Sequence, residues 1–133
     1  MDGFIAIGSK PCSSKTFIKD FIEHEPKKDD VAWVYYGAAL TMQAKCANNP
    51  LTKYNYFVKG SKIIDHMAML YPNHLDVRFV RLLVQYHSPA FLNYKWAIEK
   101  DIGFIKRYSP GPSLDKRDAY KKIVHVLTLQ NII

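Results

Sequence analysis

Seven prolines, Pro11, Pro26, Pro50, Pro72, Pro89, Pro110 and Pro112, cut this chain into blocks of helix length. Proline suits the first turn of a helix, where its missing N–H costs nothing, and it breaks a helix interior. Asn49-Pro50 and Ser88-Pro89 each read as an N-cap followed by the first helical residue, and Ser113 restarts a helix after the Ser109-Pro110-Gly111-Pro112 loop. Six helices are expected, over residues 14–25, 30–47, 50–71, 73–87, 89–108 and from 113 onward.

Spacing within the blocks agrees with this division. In the third, Tyr54, Phe57, Gly60, Ile64, Ala68 and Tyr71 recur at steps of three and four, while Asn55, Lys59, Lys62 and His66 face away. In the fifth, Phe91, Tyr94, Ile98, Ile102 and Ile105 share one side. The last carries Tyr120, Ile123, Val124 and Leu127, and its β-rich end over 125–133 continues the helical spacing. No strand alternation bounded by hairpin turns is evident.

Asn49-Pro50 and Ser88-Pro89 lie 39 residues apart. Each follows a strongly apolar helix and opens an amphipathic one, with Tyr54 and Tyr94 early in it. One hairpin cannot bury its own apolar face, so a repeat of this kind points to stacked helix pairs. The expected fold is all-α: stacked antiparallel helix hairpins in a short superhelix of about six helices. One domain should span 1–133, with 1–13 irregular.

Composition permits such a core, with 48% hydrophobic and 14% aromatic residues. A formal charge of +7 raises the weight of an acidic partner without choosing among nucleic acid, anionic membrane and protein. No window reaches the roughly 20 apolar residues of a membrane helix. The apolar run at 4–7 is too short for a signal-peptide core, and no basic region precedes it. A cytoplasmic location follows for the chain as written, and a periplasmic or exported one if it is a trimmed mature form. Cys12 and Cys46 form no CxxC pair. They are expected as two buried or free thiols, with one disulfide as the alternative.

Catalytic signatures are few. The five histidines, His24, His66, His74, His87 and His125, include no HExxH arrangement, and His66 and His74 lie on either side of Pro72. Glu23, His24 and Glu25 sit beside a lysine-rich turn and read as a solvated helix end. No glycine-rich phosphate loop and no GxSxG elbow exists. No cofactor, metal or catalytic residue is expected, and the chain is read as a non-enzyme.

The fourth helix is apolar over most of its circumference and should be central. Arg78, Arg81 and Gln85 interrupt it at spacings of three and four and therefore share one stripe. This stripe either lines a groove in which arginine forks grip a carboxylate or phosphate, or fastens neighbouring helices through ion pairs. Asp101 lies near the apolar side of the fifth helix, and a buried carboxylate needs a partner. It is expected to pair with Arg78 or Arg81. In the second helix, Trp33, Tyr35 and Tyr36 are too many large aromatics to be fully buried together. The basic stretch Lys95, Lys100, Lys106, Arg107, Lys116 and onward to Lys122 is interleaved with carboxylates and reads as a solvated face.

Tyr35-Tyr36-Gly37-Ala38-Ala39, Asn49-Pro50 with Lys53 and Tyr56-Phe57, Pro72, Arg78-Phe79 with Arg81, Pro89 with Phe91-Leu92 and Tyr94, and Asp101 together form a pattern over 33–105. This pattern resembles tetratricopeptide-like proteins, and more closely a group of small Bacteroidota proteins. The resemblance implies helix hairpins, and members of that group often carry an export signal, which this sequence as written lacks. It implies no chemistry. The 39-residue period exceeds the usual ~34, and Met67 stands where a small residue would be usual.

The functional expectation is a non-catalytic protein- or peptide-binding module. Its concave surface would be lined by the second and fourth helices, with Trp33, Tyr35 and Tyr36 anchoring and Arg78, Arg81 and Gln85 orienting. A basic nucleic-acid-associated protein is the alternative, and a structural subunit packing as a homo-oligomer through its second helix is a third.

Overall fold

The computed structural model describes residues 11–133, and among them the chain is all-helical, without a strand. Six α-helices follow one another: α1 (Ser14–Glu23), α2 (Trp33–Gln43), α3 (Pro50–Leu70), α4 (Leu75–His87), α5 (Ile98–Arg107) and α6 (Leu114–Leu129). Short 3-10 turns cover Pro11–Ser13, Ala44–Cys46 and Ala90–Leu92. Residues 1–10 of the expected irregular N-terminal segment lie outside the described residues. The helices fall into two compact units, Met1–Pro72 and Asn73–Ile133.

In Met1–Pro72 the α2–α3 hairpin is the centre. Asn49 accepts from the Leu51 amide at 2.8 Å and the Thr52 amide at 3.4 Å, and Pro50 takes the first helical position. The cap therefore satisfies two of the amides a helix start leaves open. Val34, Ala38, Leu40, Phe57, Ile64 and Met67 are buried. Tyr54 departs from the expected stripe and is 55% exposed. Gly37 and Gly60 let the two backbones meet. A Cβ on Gly37 would lie 2.8 Å from the Gly60 carbonyl oxygen, and one on Gly60 would run into the Gly37 carbonyl and Thr41.

Cys12 and Cys46 are joined as a disulfide, where free thiols were expected. The turn before α1 and the turn after α2 bring their Cα atoms to 5.4 Å, within the range a disulfide spans.

In Asn73–Ile133, α4 is the buried helix: Leu75, Val77, Phe79, Val80, Leu82 and Val84 are all inside. The fifth helix is shorter than its apolar spacing suggested. Ser88 and Pro89 are extended, with ψ 143° at both, so Ser88 does not open a helix. Its hydroxyl turns back, donating to the Gln85 carbonyl at 2.8 Å and lying 3.1 Å from that of Tyr94. Asn93 then enters the left-handed region, at φ 52°, and ends the turn at Ala90–Leu92. Asparagine tolerates that conformation because its short side chain bonds locally. Only from Ile98 does the helix run. The second copy of the 39-residue repeat therefore lacks the cap that the first one has.

The α6 helix starts at Ser113, whose Oγ accepts from the Lys116 amide at 3.4 Å. It ends in a Schellman motif. Asn131 is left-handed at φ 58°, its amide reaches the Thr128 carbonyl at 3.1 Å, and the Ile132 amide reaches Leu127 at 2.9 Å. Leu127 and Ile132 are both buried, the apolar contact that accompanies this motif.

Candidate functional site

The arginine stripe of α4 meets the first turn of α5. Arg81 grips Asp101 with a fork: Nε donates to Oδ2 at 2.8 Å and Nη2 to Oδ1 at 2.6 Å. Arg78 adds Nη1 to Oδ1 at 3.1 Å. Asp101 is wholly inaccessible and Arg81 nearly so. Bidentate guanidinium–carboxylate geometry is among the strongest polar contacts a protein makes, and burial demands it. The carboxylate these arginines hold is thus the chain's own.

Gln85, one turn further along the same stripe, is also fully buried. Its Oε1 accepts from the Ala97 amide at 3.0 Å, satisfying a donor at the start of α5. Its Nε2 makes no hydrogen bond. Lys95 closes the other side, donating to the Gln85 and Tyr86 carbonyls at 3.0 and 3.1 Å. A lysine on the last carbonyls of a helix complements its negative end. Arg78, Arg81 and Gln85 therefore fasten α4 to α5. They do not line an open groove.

Aromatic rings cover the network. The Arg78 guanidinium lies over Phe104, 4.8 Å from the ring centre, and that of Arg81 over Trp96 at 5.0 Å. Lys100 approaches the Trp96 ring at 5.9 Å. Trp96 nevertheless stays 57% exposed, and Phe91, on the preceding turn, is 84% exposed. Lys95 and Lys100 are exposed beside them in sequence. Residues 89–97 thus present two large aromatics and a lysine on backbone pinned by Ser88, Gln85 and Lys95. The helical spacing hid this surface, since it assigned Phe91 to an apolar stripe. The αL residue Asn93 is the only local signal against that assignment.

The second-helix aromatics belong to the other unit. Trp33 opens α2, and its indole N–H donates to the Lys27 carbonyl at 2.9 Å. It meets Tyr36 and Phe21 edge-on, each with ring centres 5.0 Å apart, and Tyr36 stacks on Phe21 at 5.4 Å. Tyr36 is buried, and Trp33 and Tyr35 are half-buried. Phe21 of α1 packs on Trp33 and Tyr36, while Trp33 and Tyr35 keep partial exposure.

Histidines serve locally. His24 Nδ1 donates to the Asp20 carbonyl at 2.7 Å at the end of α1, and His66 Nε2 reaches Asp29 Oδ1 at 3.1 Å. Among the described residues, no three His, Cys, Asp or Glu side chains gather as a metal site would require. The basic residues from Lys95 to Lys122 are exposed throughout. No helix among the described residues is long and apolar enough to cross a membrane. Compared with protein families, with curated proteins and with solved structures, the chain gives no match.

Proposed function

We propose that the protein is a non-catalytic protein- or peptide-binding module whose contact surface is the aromatic and lysine-bearing segment at residues 89–100. The carrying observation is the exposure of Phe91 and Trp96 on a backbone held by buried hydrogen bonds. Exposed aromatics beside cations are the composition of binding hot spots. The Trp96 ring is already oriented by Arg81, so little freedom is lost when a partner covers it. Charge selects an acidic partner: Asn73–Ile133 carries ten lysines and arginines against five carboxylates. The resemblance to tetratricopeptide-like proteins supports the same reading. Nucleic-acid association through the basic stretch is the competing one.

The Cys12–Cys46 disulfide favours an oxidising compartment, because thiols in the cytosol are kept reduced. The exported alternative is therefore preferred over the cytoplasmic one.

Selection from a random peptide display library tests the binding proposal. Enriched peptides should combine acidic with apolar or aromatic residues and lose capture by Trp96→Ala or Phe91→Ala protein. Absence of enrichment, or preferential binding of a single-stranded oligonucleotide with steep salt dependence, would favour the nucleic-acid reading or none.

A further inference from the structure

The α1 helix depends on its neighbours for its order. It has ten residues, and isolated helices shorter than roughly 12–15 residues are marginal in water, so its order depends on docking. Ser14 is its one fully buried residue; Phe17 and Phe21 are half-buried, and Ile22 is 46% exposed. A shallow concavity of about 250 Å³, lined by Phe17, Asp20, Phe21, His24 and Pro26, leaves its apolar side incompletely packed. By contrast, α2 packs far more extensively on α3.

Two fasteners join the start of α1 to the end of α2. The Ser14 hydroxyl donates to Gln43 Oε1 at 2.8 Å, and the disulfide links Cys12 to Cys46. At the other end, Phe21 lies on Trp33 and Tyr36. Cys12 is an exposed residue, and thiol–disulfide exchange begins with thiolate attack on one sulfur of the bond.

We propose that the Cys12–Cys46 disulfide is a redox latch that keeps α1 seated on the Trp33 and Tyr36 face of α2, and that its reduction releases the helix and uncovers those rings. A thiolate of a dithiol reductant attacks Cys12 Sγ, and Cys46 leaves as a thiolate and takes up a proton. The second thiol of the reductant then displaces Cys12, which is protonated in turn. Two electrons have reduced the disulfide to two thiols, and the reductant has become a disulfide. With the covalent tether gone, only noncovalent contacts, the Ser14–Gln43 hydrogen bond and the Phe21 rings among them, stand against the ordering cost of a ten-residue helix.

Hydrogen exchange on the full chain, with and without dithiothreitol, tests this, with thiol alkylation confirming reduction. The amides of Ser14–Glu23 should exchange on the order of a hundredfold faster after reduction, while those of Pro50–Leu70 keep their protection. In a Trp96→Phe chain, Trp33 emission should become more quenchable by acrylamide. A Cys12→Ser, Cys46→Ser chain should reproduce both effects without reductant. Unchanged exchange in α1 after full reduction overturns the latch. So does equal loss of protection through α2 and α3, or a double variant that fails to fold, since either makes the disulfide a general staple. Resistance of the native disulfide to the dithiol overturns it as well.

Discussion

Asp101 decides what the arginines of α4 are for. A carboxylate with no solvent access is tolerable only with its charge matched and its lone pairs occupied, and Arg81 and Arg78 do both. Removing one partner from such a pair costs about 3–5 kcal/mol, because the other charge is left buried. Arg81→Ala should therefore lower stability by that amount in urea unfolding, and Asp101→Ala similarly. Arg78→Ala should cost less, since its side chain keeps 18% exposure. The double variant Arg81→Met, Asp101→Leu should recover much of the loss. Additive single effects would show that the pair is not coupled.

Helix starts and stops show how far the sequence could be read. Where the signal is local it was legible: Asn49-Pro50 caps α3, Ser113 caps α6, and the apolar circumference of α4 marks it as buried. Pairing of Asp101 with Arg78 and Arg81 was legible too, because burial of a carboxylate demands a cation within reach of the next helix. The start of α5 was not, because tertiary bonds decide it. Gln85 takes the Ala97 amide, and Ser88 and Lys95 take the last carbonyls of α4, so residues 89–96 gain by leaving the helix. Phe91 thereby passes from expected core to surface, and the proposed contact surface moves with it. The covering of Trp33 and Tyr36 by Phe21 was equally non-local.

Close backbone approach at this scale is testable through Gly60. A methyl there meets the Gly37 carbonyl and Thr41, so Gly60→Ala should destabilise by about 1–3 kcal/mol by urea unfolding, despite alanine's better helix propensity. At the other extreme, Asn131→Gly should add up to about 1 kcal/mol, since its left-handed backbone suits glycine better. A gain in the first variant would contradict the close contact of α2 with α3.

For the molecule as a whole, the disulfide closes a loop spanning 34 residues and so restrains the unfolded chain. The basic excess is concentrated in Asn73–Ile133, the unit that also presents Phe91 and Trp96. On the proposed reading, function and stability separate along α4 and α5. The buried arginines hold the two helices together, and we propose that the exposed aromatics and lysines next to them face partners. The affinity of Phe91→Ala protein for an acidic peptide selected on the parent chain tests that division most directly. Affinity should fall by a factor of about 30 or more, matching loss of a hot spot of at least about 2 kcal/mol, with the melting temperature nearly unchanged. Undiminished affinity would contradict it.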